Sequence, residues 1–347
     1  MTSAQRGALY GLSAAALFGL SAPIAKRLLG EVSPVLLAGL LYLGAGLALS
    51  LWIWLRPHTA EAPVVRRDVP LLAAVVVSGG LVGPLLMLLG LERVSAVAGS
   101  MMLNLEGPFT IVLAVVVFRE HLGAYGVVAT GLILLGAAVL KLGSGDVVLD
   151  TVGMLALAGA CAAWALDNNL TQRLSLRDPR AVVRIKTLGA GALNVTLGLA
   201  LGHQLPGALT LALTLAVGAL SYGVSIVLDA YALREVGAAR EAAYFATAPF
   251  VGAVASTVIV GEALGPADLA AMVLMAGGVL ALLRERHGHE HEHEALDHTH
   301  LHTHDAHHQH DHGADAPPGE PHAHAHHHAP LVHDHPHAPD LHHRHRH

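Results

Sequence analysis

A chain of 347 residues that is 53% apolar and only 13% charged, with a formal charge of −6, holds more apolar surface than a water-soluble core of this size can hide. The imbalance is sharper than the averages suggest, because all but His58, His121 and His203 of the 27 histidines lie in a polar tail beyond residue 286. The single cysteine, Cys161, excludes a disulfide framework within one chain and any multi-cysteine metal centre, and nothing in the charge pattern calls for a nucleic-acid partner.

Ten apolar runs follow one another, near 8–25, 34–55, 70–91, 94–118, 123–142, 152–170, 182–202, 207–233, 236–260 and 266–283. Each approaches the roughly 20 residues that a helix needs to cross a bilayer. The runs are continuous rather than alternating, which excludes a barrel, and lipid offers no partner to the backbone of any other fold. An all-α polytopic membrane protein is therefore expected. Arg6 ahead of the first run resembles a signal peptide, but the spans downstream make an uncleaved first helix the better reading. Lysine and arginine set the orientation: Arg6, Arg56, Arg66, Arg67, Arg119, Arg173, Arg177, Arg180, Arg184, Lys186, Arg234, Arg284 and Arg286 fall at one face, against Lys26, Arg27, Arg93 and Lys141 at the other. That asymmetry places both termini in the cytoplasm, with the body in the plasma (inner) membrane.

The stretch from Val94 to Leu142 is written again from Val236 to Leu283. Glu262 repeats Glu120, Leu264-Gly265 repeats Leu122-Gly123 and Gly278 repeats Gly136, all 142 residues apart, while Pro249-Phe250 repeats Pro108-Phe109 with a slip of one. At a spacing of 146, Gly7 meets Gly153, Phe18 meets Trp164, and Arg27-Leu28 meets Arg173-Leu174. Two five-helix units are expected, 1–142 and 152–284, joined through a Gly-Ser-Gly linker at 143–151. A unit with an odd number of spans has its ends on opposite faces, so its copy enters the membrane inverted, and inverted repeats place a solute site at their interface.

At Leu105-Glu106-Gly107-Pro108-Phe109, at Arg119-Glu120-His121-Leu122-Gly123, and at their echoes Ala248-Pro249-Phe250 and Gly261-Glu262-Ala263-Leu264-Gly265, the chain resembles the drug/metabolite transporters that carry two EamA-type repeats. The likeness covers about residues 7–284, and it implies a ten-helix secondary carrier, often an exporter of amino acids, metabolites or drugs. Gly107 separates Glu106 from Pro108 where the family often has Glu-Pro directly, and the histidine tail lies outside the family fold.

Polar residues inside the spans carry whatever chemistry there is, since an ionised group at mid-bilayer costs about 2.5–3.5 kcal/mol unless it meets a partner or a watery cavity. Candidates for solute binding or coupling are Asn104 and Glu106 in the fourth run, Asp167 and Asn168 in the sixth, Tyr222 and Asp229 in the eighth, and Glu241 and Tyr244 in the ninth. A carboxyl in apolar surroundings can exchange its proton near neutral pH, so Glu106 or Asp229 is expected to couple proton entry to solute exit; the alternative is a structural ion pair, for example with Arg240. Asp167-Asn168-Asn169 fan over most of a helical turn and cannot all face one cavity. Pro23, Pro84, Pro108 and Pro249 can each bend a helix. Glu120 and Glu262 stand just before a helix start, where a carboxylate caps the helix that follows.

From residue 285 to 347 the composition lacks apolar residues to build a core, and a disordered tail with an end-to-end distance of about 45 Å is expected. The alternating histidines His287, His289, His291 and His293, the series His298, His300, His302 and His304, and the run His326, His327 and His328 suit a divalent metal such as zinc, nickel, cobalt or copper. No other cofactor is implied, and no nucleophile and base set, phosphate loop or haem motif points to an enzyme. Export of a small organic solute, with lipid and solute as partners and the tail as an accessory metal binder, is the favoured reading. The alternatives are a divalent metal exporter fed or regulated by the tail, and a membrane-tethered metal sensor or store.

Overall fold

In the computed structural model of the chain, the residues described are 3–56, 63–118, 124–142, 150–171, 174, 177–236, 241, 244–282, 287–293, 296–302, 322–328 and 331–337. Helix occupies each of the ten expected runs. The first half holds α1 (Ser3–Gly19), α2 (Ser21–Leu28), α3 (Pro34–Leu55), α4 (Val69–Val75), α5 (Gly83–Arg93), α6 (Ala96–Met102), α7 (Glu106–Phe118) and α8 (Ala124–Leu142). The second holds α9 (Thr151–Thr171), α10 (Pro179–Ala200), α11 (Ala208–Gly218), α12 (Ser225–Val236), α13 (Ala248–Ile259) and α14 (Pro266–Leu282). Among the described residues, six helical stretches are long and apolar enough to cross a membrane: Gln5–Leu28, Pro34–Leu55, Arg66–Arg93, Ala96–Leu113, Ala124–Lys141 and Ala208–Ala232.

Local chemistry sets where these helices start. Pro34 and Pro179 occupy first-turn positions where a missing N–H costs nothing, Asp178 accepts from the Arg180 N–H at 2.9 Å, and Ser95 Oγ accepts from the Ala98 N–H at 3.1 Å. The interior prolines sit at breaks rather than in mid-helix. Pro84 follows a π-helical turn at Val76–Val82, Pro108 follows a 3-10 turn at Leu103–Leu105, and Pro249 opens α13. A second π-helical turn, Ala219–Val224, occupies the matching place in the second half. Each widens its helix and leaves backbone carbonyls open to other donors.

Extensive helix packings include α3 on α10, α8 on α14, α1 on α12, α5 on α9 and α6 on α13. All five join one half to the other. Exchanging the halves maps each packing onto itself or onto another of the five, which is the signature of a pseudo-two-fold relation between the units. Leu36, Leu37, Leu41, Met87, Leu88, Leu91, Met101 and Leu157 fill the shared core with essentially no exposure. Outside it the surface is apolar rather than polar, with Trp54, Leu209, Val258 and Val273 largely exposed. Lipid is the solvent that suits such a surface. Since lipid removes the hydrophobic drive for helices to associate, close packing must carry the contact. The duplicated glycines provide it: a Cβ on Gly136 of α8 would lie 2.6 Å from Met275 Cγ, and one on Gly278 of α14 would lie 2.9 Å from the Ala129 carbonyl.

In the tail, the described residues form β1 (His287–His293), β2 (Leu296–His302), β3 (His322–His328) and β4 (Leu331–His337), with β1 antiparallel to β4 and β2 to β3. The pairing register sets His289 opposite His335, His291 opposite His333, His298 opposite His326 and His300 opposite His324. Such a ladder satisfies backbone N–H and C=O groups without a side-chain core. His304, together with His58, Glu120, His121 and Arg240, lies outside the described residues.

Candidate functional site

Three polar side chains of α7 and α9 meet first. Glu106 opens α7 directly after the 3-10 turn, and its Oε1 accepts from the Asn168 Nδ2 at 2.5 Å across 62 residues of sequence. Asp167, one residue earlier on α9, is 3% exposed and pairs with the Lys186 ammonium of α10. Asn169 turns back, and its Nδ2 donates to the Ala165 carbonyl at 2.8 Å. The fan of three thus splits: Asp167 is buried, Asn168 is exposed and reaches Glu106, and Asn169 bonds its own helix.

From the second half, the carboxyl groups of Asp229 on α12 and Glu241 adjoin at hydrogen-bonding distance. Glu106 lies within the electrostatic field of Asp167, Lys186, Asp229 and Glu241. Four carboxyls dispersed through the sequence therefore gather in one region inside the apolar body, with contributions from both halves. Among the described residues, however, no three His, Cys, Asp or Glu groups converge closely enough to hold one metal ion. Lys186, counted as a loop charge in the orientation argument, is instead an inward-facing partner on the second turn of α10, with a side chain only 13% exposed.

An aromatic wall borders this cluster. Phe18 stacks edgewise on Trp164 at 6.4 Å and on Tyr222 at 5.7 Å, and lies 5.3 Å from Phe245; Tyr42 lies 5.4 Å from Tyr222. The π-helical turn pins it, because the Gly79 carbonyl accepts from both the Tyr42 hydroxyl at 2.8 Å and the Trp164 Nε1 at 3.1 Å. Gly79 also faces the Asp167 carboxylate, which occupies the space a Cβ would need. Tyr42, Gly79 and Lys186 were not legible as site residues, since none stands out by type or spacing. The symmetry signal that would have drawn attention to Gly79 is the match of its π-helical turn to the one around Tyr222.

The remaining candidates go elsewhere. Asn104 donates to the Met101 carbonyl at 3.0 Å and approaches Met275 Sδ at 3.7 Å, at the contact with α14. Tyr244 packs over Gly11 of α1. A groove of about 470 Å³ lined by Thr247, Phe250, Val251, Val254, Ala255 and Val258 is apolar and opens on the exposed face of α13, so it suits an acyl chain better than a polar solute.

Glu262 behaves differently from expectation. Its carboxylate accepts from the Ala96 N–H at 2.8 Å and the Val97 N–H at 2.9 Å, capping α6 in the other half, while the helix that follows it is closed by Asp268 on the Gly265 N–H at 2.8 Å. Lys26 donates to the carbonyls of Leu91 and, at 2.7 Å, Val94, at the end of α5. The turn between α5 and α6 thus has a cation at its carbonyl end and an anion at its amide end, as helix dipoles favour. Nearby, Arg93 pairs with Asp150 at 2.9 Å and holds that carboxyl below the usual carboxylate range.

A duplicated helical body with an apolar exterior, a pseudo-two-fold core and charged groups contributed by both halves defines a multi-pass membrane transporter. The chain belongs to the EamA-like transporter family, whose model matches residues 5–142 and 151–284. It is similar to an uncharacterized transporter of Methanothermobacter thermautotrophicus (strain Delta H), 31% identical over 289 residues that cover 78% of this chain and 84% of that protein. A protein of known crystal structure superposes with a TM-score of 0.61 at 20% identity, covering 80% of this chain and 98% of the other, a likeness of fold alone.

Proposed function

We propose that this protein is a secondary-active exporter of a small organic solute, an amino acid, metabolite or drug, built from ten spans in two inverted five-span units, 1–142 and 152–284, joined by 143–151. Both termini lie in the cytoplasm, and the plasma membrane is its location. The observation that carries the reading is the gathering of Glu106, Asp167, Asn168, Lys186, Asp229 and Glu241 from both halves into one region of the apolar body. Groups that expensive to bury persist where they face a solute or an ion pathway. In the orientation given by the basic residues, Asp167, Asn168, Lys186, Asp229 and Glu241 fall in the cytoplasmic half of their helices and Glu106 at the middle of its own, within reach of a solute loaded from the cytoplasm.

Proton coupling through Glu106 or Asp229 is part of the proposal. Full-length protein in proteoliposomes should move its solute in response to an imposed pH gradient, and Glu106→Gln and Asp229→Asn should blunt that response. Variants that follow the gradient as the parent does would remove the coupling role.

The tail is proposed to bind divalent metal, zinc, nickel, cobalt or copper, as an accessory function. The alternation of histidines and their cross-strand register favour it. Replacing the tail histidines by alanine in the full-length chain separates the readings: organic flux that persists leaves the tail a store or regulator, and metal flux that disappears makes the protein a metal exporter fed by it.

A further inference from the structure

We infer that the site selects an organic cation, a protonated amine attached to an apolar body about the size of one aromatic ring. The inference rests on the carrier reading above and names its solute class.

Charge comes first. Of the four carboxyls gathered at the site, Asp167 is matched by Lys186, and Glu106 receives only the neutral amide of Asn168. Asp229 and Glu241 face each other. Among the described residues, Lys186 is the cation whose field reaches Glu106, and it is already held by Asp167. Among the described residues, carboxyl groups therefore outnumber the one cation at the site.

A separate observation points to a missing donor. The Oδ1 of Asp229 is buried without a hydrogen-bond partner, whereas the Oδ1 of Asp167, the oxygen not engaged by Lys186, has the Thr171 hydroxyl of its own helix beside it. Native structures rarely leave such acceptors orphaned, and an ammonium brings up to three N–H donors with its charge. A bare metal ion does not fit as well. The carboxyls feel one another, but among the described residues no three metal-ligating groups converge on one point, so the occupant is larger than an ion and bridges the gap with its own atoms.

The aromatic wall says what else that occupant carries. Trp164 stands one helical turn before Asp167 and Asn168 on α9, Phe245 stands one turn after Glu241, and Tyr42 lies in the field of both Asp167 and Glu106. With Phe18 and Tyr222 they form a surface that attracts a cation over its ring faces and an apolar ring edge to face. A carboxylate on the solute would meet repulsion here, since the basic group nearest to it is in use.

A matched series isolates the charge: phenethylamine, phenylalanine and 3-phenylpropanoate share a ring and differ only in carrying the amine, both groups, or the carboxylate. Binding of each to purified full-length protein in micelles is measured by calorimetry, and counterflow of each in proteoliposomes. Phenethylamine should bind roughly tenfold or more tightly than phenylalanine, and 3-phenylpropanoate should not saturate. Glu106→Gln and Phe18→Leu should each weaken phenethylamine binding by roughly tenfold. If Glu106→Gln fails to fold by size exclusion and circular dichroism, Asp229→Asn takes its place. Phenethylamine that does not bind, binds no better than the anion, or is unaffected by the variants overturns the inference. Counterflow of phenylalanine or 3-phenylpropanoate without amine binding overturns it and leaves the carrier standing, whereas amine binding with no counterflow of any probe keeps the cation site and removes the carrier.

Discussion

Replacing Lys186 by Met removes the positive partner of Asp167 while keeping most of the volume of the side chain. The two side chains are only 13% and 4% exposed, so the pair belongs to the buried class, where deleting one partner costs about 3–5 kcal/mol because the other charge is left without compensation. With Lys186 gone, Asp167 keeps the Thr171 hydroxyl of its own helix, a neutral donor that cannot balance the charge. The expected cost is therefore in the upper part of that range, on the order of 4 kcal/mol, or a fall in Tm of about 8–16 °C for a domain of this size. Adding Asp167→Asn to Lys186→Met removes the stranded charge and should restore most of the loss, giving a coupling energy of about 2–3 kcal/mol in a double-mutant cycle. Unfolding of the full-length protein in mixed micelles, followed by far-ultraviolet circular dichroism, measures all four corners. A loss below about 1 kcal/mol for Lys186→Met, or a double variant no more stable than the single one, would refute the claim that this pair is a dry one whose energy depends on mutual neutralisation.

Three further perturbations test the framework around the site. Glu262→Ala strips the carboxylate from the amides of Ala96 and Val97 and should cost about 1.5–3 kcal/mol, with Glu262→Gln recovering part of it, read from the same unfolding assay. Gly278→Ala should cost about 1–3 kcal/mol because its Cβ would press on the Ala129 carbonyl at 2.9 Å, whereas Gly136→Ala should cost less, since its tightest neighbour is the flexible Met275; equal Tm shifts would contradict this. Arg93 lowers the pKa of Asp150 in the folded state, so its contribution is present above the unfolded value of about 3.9 and is lost as pH falls through the lower folded value. Asp150→Asn should therefore lower Tm at neutral pH, and the gap to the parent should close on acidification below about pH 4; a gap that widens would reverse the assignment.

The prolines show how far local chemistry reaches. Pro84, Pro108 and Pro249 are visible in the sequence as helix disruptors, and the structure places all three at real breaks. What the sequence could not show is that the break before Pro84 is a π-helical turn whose Gly79 carbonyl holds Tyr42 and Trp164. Glu262 teaches the same lesson from the other side. Its type and its place before a helix announce a cap, but the helix it caps begins 166 residues away in the other half.

By itself the sequence determined the solvent, the helices and the duplication, because each is written locally: long apolar runs can satisfy their backbone only as helices in lipid, and a repeat is a comparison of residues with residues. It also supplied Glu106, Asp167, Asn168, Asp229 and Glu241 as groups too costly to bury without reason. Only the tertiary structure decided that these five converge, that Lys186 neutralises Asp167 from a neighbouring helix, that Asn104 and Tyr244 are engaged elsewhere, and that an aromatic wall stands beside them. Helices that are apolar all round carry no stripe to announce which face turns inward. That choice is made by many small packing contacts summed across the two halves, where close glycine approaches and the pseudo-two-fold relation select one arrangement from several of similar composition.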